Sequence, residues 1–142
     1  MTDEDMDPQE IEGILQFLRG SPRERAIALQ SLSSRPLCNL ELLAACESLL
    51  GDKTIALLSL PFSFGEIRWC AADAVAAIRG ALGIPEPVVI PDVFAPVSGG
   101  NAMGLLKAAG VESKAGIEGT IEALETLAKM DRLPRRKITR TP

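Results

Sequence analysis

The chain of 142 residues contains no histidine and no tyrosine, and aromatic residues make up only 4% of it. Without histidine it lacks the commonest general base, the commonest zinc ligand and the usual partner of a serine or cysteine nucleophile. Carboxylates or lysines could still catalyse a reaction, but no pattern among them points to one. We therefore expect no catalytic residue, no bound metal and no cofactor.

Cysteine is scarce as well, and the three residues Cys38, Cys46 and Cys70 show no C-x-x-C spacing. An odd number of thiols in mostly apolar surroundings is typical of buried, reduced cysteines in a cytoplasmic protein. The sequence therefore predicts no disulfide framework and a cytoplasmic location.

Long apolar runs are also missing. The longest, residues 54–64, is too short to span a bilayer and contains Pro61. The first ten residues, MTDEDMDPQE, are acidic where a secretory signal would be basic and then apolar. These features predict a protein without membrane insertion.

Helical patterns dominate residues 1–83. Asp7 and Ser21 each precede a proline, which is the arrangement of an N-cap followed by a first helical position. Asn39 precedes the run LELLAACESLL, and DKTIALLSL at residues 52–60 is interpreted as a further short helical segment. Residues 1–83 are thus predicted to form a helical body whose core consists of small aliphatic side chains.

Two of the predicted helices share a pattern of alanine and aliphatic residues. Corresponding positions in the two helices are separated by the same number of residues. This separation lies within or at the edge of the roughly 40–47-residue period of HEAT and armadillo arrays. The first helix carries Ala26, Ala28, Leu29 and Leu32, and the second carries Ala72, Ala74, Val75 and Ile78.

The second of these helices, IRWCAADAVAAI, has an aliphatic residue, an arginine, two alanines, a further alanine–aliphatic pair and a last aliphatic residue. These positions are Ile67, Arg68, Ala71, Ala72, Ala74, Val75 and Ile78. The pattern resembles the second helix of HEAT-like repeats, a family that includes phycobilin lyase subunits. The first helix departs from it, with Ser21 and Pro22 in place of the aliphatic residue and the arginine. The resemblance implies a helix enclosed by neighbouring helices, with little surface left for water.

The rest of the chain divides into three parts. Residues 84–100 contain several prolines and are predicted to form an extended strap, with VVI as a short strand. Residues 101–131 regain helical periodicity and are predicted to form a helical hairpin. Residues 132–142 are predicted to be an extended basic tail. The expected fold is therefore all-α: a short HEAT-like helical body over residues 1–83, a proline-rich strap, a C-terminal helical hairpin and a basic tail.

Charge is distributed unevenly along the chain, whose net charge is −4. The first twelve residues carry acids and no base, and the tail after Asp131 carries bases and no acid. The two ends can be solvated, or they can dock on each other, within one chain or head-to-tail between copies. The tail can also add a strand to residues 87–90 or to a partner's sheet, or be disordered. Its candidate partner-binding residues are Arg135, Arg136, Lys137 and Arg140.

The alanine-rich helix adds three candidate partner-binding residues, Arg68, Trp69 and Arg79. The two arginines project from nearly the same side of the helix, about 16 Å apart, where an acidic peptide or phosphate could bridge them. The favoured alternative is an ion pair of Arg68 with Asp52 or Glu66, because buried arginines are normally paired. The tryptophan could anchor a partner, but filling core space beside alanines is the favoured role.

Residues 101–140 also have the outline of a winged helix, whose helix from Ala115 would enter the major groove of DNA. The outward positions of that helix carry Glu118, Glu122 and Glu125, whose carboxylates would repel phosphate oxygens. We therefore expect no nucleic acid partner.

The sequence favours a non-catalytic protein–protein interaction module, an adaptor or assembly subunit of a larger complex. Such a protein could also self-associate through its acidic head and basic tail. Two alternatives stay open. The resemblance to HEAT-like repeats implies a lyase- or chaperone-type enzyme subunit that handles a chromophore-bearing protein. The acidic composition is compatible with a neutralising partner of a toxin or basic protein.

Overall fold

The computed structural model describes residues 7–60 and 62–142. Within them the chain forms six helices and five short strands around two groups of buried apolar side chains. The helices are α1 (Pro8–Leu18), α2 (Pro22–Ser34), α3 (Leu40–Glu47), α4 (Ile67–Leu82), α5 (Gly99–Ala108) and α6 (Gly116–Lys129). The strands are β1 (Ile55–Ser59), β2 (Ser63–Glu66), β3 (Val88–Val93), β4 (Val97–Ser98) and β5 (Arg136–Arg140).

The expected all-α fold is wrong, because the described residues form a mixed α/β structure with two small antiparallel sheets. One sheet has the strand order β1-β2-β4, and the other pairs β3 with β5. In the first sheet Leu57 lies opposite Phe64, and in the second Ile90 lies opposite Ile138. The β2–β4 and β3–β5 pairings join parts of the chain that are distant in sequence, so they help to determine how the helices are arranged.

The all-α prediction fails at β1 because both faces of this strand contact apolar side chains. Ile55 and Leu57 pack into one apolar core, whereas Ala56 and Leu58 pack into the other. The side chains alternate between two sides as strand residues do, but both sides are apolar, so no polar alternation marks the strand. A short apolar run of this kind cannot be distinguished from a buried helix by its periodicity.

Local capping signals did predict where the first three helices begin. Asp7 accepts a hydrogen bond from the backbone N–H of Gln9 at the start of α1. Ser21 and Glu24 form a reciprocal capping box at α2, and Asn39 caps α3. These three helix starts are confirmed.

Helix α4 lies at the centre of the larger apolar core, which we call core 1. It packs against α2, α3 and β3, and nine of its sixteen residues are buried. Ala71, Ala72 and Ala74 are fully buried, since their small side chains allow neighbouring elements to approach closely. The prediction that this helix is enclosed on nearly all sides is confirmed, although strands as well as helices enclose it.

The smaller core, core 2, lies between the α5–α6 hairpin and the first sheet. Its members come from α5, α6, β1, β2 and the residues that follow β3 and α6. Phe94 and Leu124 are completely buried in it. The C-terminal hairpin therefore packs on the sheet, and β1 separates core 2 from core 1.

All three cysteines are free. Cys46 and Cys70 are buried in core 1, and this burial raises the pKa of their thiols to about 12 and about 11. Cys38 is only partly buried, with its Sγ 3.5 Å from the backbone oxygen of Ala81. Because the thiolate is the reactive form of cysteine, two of the three thiols are protected twice, by inaccessibility and by protonation.

We expect a thiol-specific disulfide reagent to modify Cys38 first at neutral pH, and to reach Cys46 and Cys70 only when the protein unfolds. Absorbance of the released thiolate measures both phases. The Cys38→Ser variant should lose the fast phase and keep the slow one. Rapid modification of folded Cys38→Ser would contradict the burial of the two core thiols.

Candidate functional site

The structure divides the predicted partner-binding residues into two clusters and two single positions. In the first cluster, Arg68 and Arg135 both contact one buried carboxylate. In the second cluster, Arg136 and Arg140 lie over the ring of Trp69. The two single positions are Arg79, which lies apart from both clusters, and Lys137, which is exposed.

Glu66 is the carboxylate at the centre of the first cluster. It ends β2, immediately precedes α4, and is 0% exposed. Its Oε1 accepts hydrogen bonds from Nη2 of Arg68 at 2.8 Å and from the backbone N–H of Phe94 at 2.6 Å. Its Oε2 accepts one from Nη1 of Arg135 at 2.9 Å. A carboxylate is costly to bury unless it is paired and hydrogen-bonded, so both arginines are needed to keep it there.

Asp92 of β3 completes this group of four residues, the Glu66 cluster (Glu66, Arg68, Asp92 and Arg135). Nη1 of Arg68 donates to Oδ1 of Asp92 at 3.0 Å, and Nη2 donates to its backbone oxygen at 2.7 Å. The hydrogen bond from Arg68 holds the pKa of Asp92 below its ordinary value. Desolvation acts to lower the pKa of Arg68, but hydrogen bonds to Glu66 and Asp92 outweigh it and hold that pKa above its ordinary value. Both partners therefore stay charged at neutral pH.

The Glu66 cluster lies where the two cores meet. On either side of Glu66, Phe64 belongs to core 2 and Ile67 to core 1. Phe94, whose N–H bonds to Glu66, belongs to core 2, and Arg135 comes from the segment between α6 and β5. The cluster thus joins the start of α4, the end of β3 and the C-terminal segment.

Of the two ion-pair partners predicted for Arg68, the observed one is Glu66. Asp52 is engaged elsewhere, with its Oδ2 3.4 Å from Nε of Arg25. The backbone oxygen of Asp52 does contact this region, because it accepts the N–H of Arg68 at 3.1 Å. The loop before β1 therefore caps α4 through its main chain instead of its side chain.

Arg79 lies near the other end of α4 and joins two different elements. Its Nη2 donates to Oε2 of Glu47 at 2.9 Å, at the end of α3. Its Nη1 donates to the backbone oxygen of Glu86 at 3.2 Å, in the segment before β3. Arg68 and Arg79 are thus each engaged within the chain, and an acidic ligand that bridged them would have to displace these contacts.

Trp69 is the centre of the second cluster. The guanidinium carbon of Arg140 lies 4.6 Å from the ring centroid, and that of Arg136 lies 5.7 Å from it, both within the range of cation–π attraction. Nε of Arg140 also donates to Oδ1 of Asp73 at 2.7 Å. Arg140 is therefore held by an aromatic ring and a carboxylate, whereas Arg136 has no ion pair among residues 7–60 and 62–142.

The basic tail reaches Trp69 because it forms a strand. Among the alternatives for this tail, addition of a strand to residues 87–90 is the observed one: β5 pairs with β3, and Val88 lies opposite Arg140. Ile138 is 5% exposed and belongs to core 1. The arginines on either side of it are thereby directed towards the tryptophan.

A small polar cavity of about 270 Å³ lies beside Trp69. Four serine hydroxyls and the Asp73 carboxylate contribute to its wall, and Asp73 is already bonded to Arg140. The full lining is Gln30, Ser33, Ser34, Leu58, Ser59, Ser63, Trp69, Cys70, Asp73 and Pro96. The cavity therefore has polar walls but only one acid and no basic group.

A second surface, which sequence reasoning missed, is an apolar groove beside the turn between β1 and β2. Leu60, Phe62 and Met103 are exposed by 72%, 51% and 49%. Phe62 and Met103 line a cavity of about 510 Å³ whose lining carries no charged residue, and Leu60 belongs to the same connection between β1 and β2 as Phe62. The lining, which with Leu60 we call the apolar groove, is Phe62, Phe64, Gly99, Met103, Gly116, Ile117 and Thr120. The sequence signal was the pair of large apolar residues, Leu60 and Phe62, on either side of a proline in the sequence.

The described residues contain neither a metal-binding cluster nor a membrane-spanning helix. No group of three or more His, Cys, Asp or Glu side chains there is arranged to hold a metal ion. None of the six helices has both the length and the hydropathy needed to cross a bilayer.

No known protein family, curated protein or solved structure matches this chain. The likeness of α4 to HEAT-like repeats therefore stays a prediction.

We expect Arg135→Ala to lower the free energy of unfolding by about 3 kcal/mol, because it leaves a fully buried carboxylate oxygen without its cationic donor. The matched control is the neighbouring Arg136→Ala, which removes only a partly exposed cation–π contact and should cost about 0.5 kcal/mol. Urea unfolding followed by circular dichroism measures both. Equal losses in the two variants would contradict the structural role of the Glu66 cluster.

The ion pair between Arg68 and Asp92 should make the stability of the folded protein depend on pH. Because the pKa of Asp92 is lowered on folding from its ordinary 3.8, its contribution is complete above about pH 4 and is lost as pH falls through the folded-state pKa. Wild type should therefore unfold at a higher temperature than Asp92→Asn at neutral pH, and this difference should shrink on acidification. A difference that stays constant down to the acid transition would rule out this contribution.

Proposed function

We propose that this chain is a non-catalytic protein-interaction module, an adaptor or assembly subunit that binds an apolar segment of a partner protein in the apolar groove. The observation that carries the proposal is the exposure of Phe62 and Met103 in the wall of one uncharged cavity, with Leu60 exposed nearby in sequence. Contiguous apolar patches are uncommon on the surface of monomeric proteins, and they often mark contacts with other proteins.

The lining of the groove indicates what kind of partner it fits. Phe62 and Met103 are large and only half-buried, and Gly99 and Gly116 place backbone rather than side chain at its wall. Methionine adapts its shape to the partner, and an aromatic ring supplies much of the contact area of an interface. The expected ligand is an uncharged aliphatic or aromatic side chain, since no charged residue lines the groove.

The assignment as non-catalytic is supported by the way the reactive groups are used. Glu66, Asp73 and Asp92 are each bonded to an arginine of the same chain. The buried thiols of Cys46 and Cys70 have raised pKa values. These groups stabilise the fold and are poorly placed to act as acid, base or nucleophile.

We also propose a cytoplasmic location, which the three free cysteines support. Association between copies through the acidic head and basic tail is a further part of the proposal. Asp3, Glu4 and Asp5 of that head lie outside the described residues. In the tail, Arg132, Arg136 and Lys137 are exposed basic side chains that could take part.

The double variant Phe62→Ser/Met103→Ser should lower the capture of a native partner at least about tenfold, because it removes two apolar anchors from the groove. Tagged protein, native extract and quantitative mass spectrometry provide the measurement. The matched control is Leu40→Ser, which removes an apolar side chain that is 69% exposed outside the groove and should leave capture unchanged. If wild type retains no protein, or the double variant retains the same proteins equally well, the proposal fails.

A further inference from the structure

The C-terminal strand occupies a groove on the surface of its own chain, which we call the strand groove. One side of it is the edge of β3, with which β5 pairs, and another is the part of α4 that carries Trp69 and Asp73. Pro142, two residues beyond β5, closes the end of the groove against Gly80, whose missing side chain leaves room for it. The strand groove is separate from the apolar groove.

The occupant of the strand groove has a simple pattern. Arg136, Ile138 and Arg140 alternate with outward-facing residues along β5, so that one side of the strand reads arginine, aliphatic, arginine. Ile138 enters core 1, and both arginines lie over Trp69. Backbone pairing with a strand edge supplies affinity and alternate side chains supply selectivity, which is how proteins bind extended peptides.

The segment that leads into β5 has the features of a hinge. Asp131, just after α6, has φ 55° and is the one residue other than glycine with positive φ in the described chain. Its N–H and that of Arg132 bond back to Ala128 and Leu127, which closes a turn that normally has glycine at this position. Met130, Asp131 and Arg132 are all exposed. Short hinge loops under strain favour the exchange of an element between copies.

The contacts of the C-terminal segment do not depend on its belonging to the same chain. Leu133 packs in core 2, Arg135 bonds to Glu66, and β5 packs on β3 and α4. The exposed hinge is the connection between this segment and α6. A second copy offers the same core, carboxylate and groove, so every one of these contacts can form between chains.

We propose that two copies of this chain exchange residues 133–142, so that β5 of each occupies the strand groove of the other. The exchange replaces the turn at Asp131 by a more extended hinge and relieves its left-handed backbone. It keeps the ion pairs at Glu66 and Asp73 and the stacking on Trp69. Reciprocal exchange of an identical element gives a closed, two-fold symmetric dimer.

The test uses two full-length variants with opposite charge changes at one contact. In Asp73→Arg, the groove repels its own Arg140; in Arg140→Asp, the tail is repelled by its own Asp73. In an exchanged pair of the two variants, the tail of each variant meets a groove of opposite charge in the other, so both ion pairs are restored, and neither can form within one chain. Both variants carry Phe62→Ser, so that association through the apolar groove cannot contribute.

After the two variants are refolded together, most of the protein should sediment at about twice the mass of one chain and contain one copy of each. Each variant refolded alone should be monomeric, with its single tryptophan emitting at longer wavelength because the tail is released. The matched control carries Asp73→Arg and Arg140→Asp in the same chain, so the ion pair is restored within that chain. Its dimer fraction should be no higher than that of wild type.

A mixture that contains only monomers overturns the proposal, whether or not the single variants fold alone. Dimers of one variant by itself also overturn it, because they would not need complementary tails. A separate variant, Asp131→Gly, should lower the dimer fraction of concentrated wild-type protein by about fivefold or more, since glycine favours the closed turn. An unchanged or larger dimer fraction in Asp131→Gly would exclude this hinge.

Discussion

The arrangement of the whole molecule depends on one buried carboxylate. Glu66 is fully enclosed between the two cores and is bonded by arginines from two distant parts of the sequence. A carboxylate in such a place destabilises the protein unless its partners are present and aligned. Its requirement for Arg68 and Arg135 therefore fixes the start of α4 and the path of the C-terminal segment at the same time. The backbone N–H of Phe94 adds the end of β3 to the same point.

The same constraint changes where a partner would bind. A basic tail and an arginine-bearing helix look, in sequence, like surfaces for an acidic ligand. In the folded protein Arg135 and Arg140 are bonded to Glu66 and Asp73, and Arg79 is bonded to Glu47. These arginines, which the sequence suggested as partner-binding residues, form ion pairs within the chain instead. The apolar groove is an exposed surface without such ion pairs, and it lies where β2 meets α5 and α6.

The C-terminal strand combines specific contacts with an exposed attachment to the rest of the chain. Its contacts are specific, since one side chain enters the core and two cations meet one indole ring. It is nevertheless attached to α6 through an exposed turn with a left-handed aspartate. The specific contacts make the strand groove selective for this strand, and the exposed hinge allows the strand to detach from its own groove. The proposed exchange between copies follows from this combination.

The sequence by itself determined the features that depend on neighbouring residues. Asp7, Ser21 and Asn39 capped their helices as predicted, because a cap bonds within three residues of itself, and the alanine-rich pattern of α4 predicted its burial. Only the tertiary structure decided that β1 is a strand, since an apolar run covered on both faces carries no periodic signal. It also decided which charges are engaged: the pairing of Arg135 with Glu66 spans 69 residues, and only the fold brings them into contact.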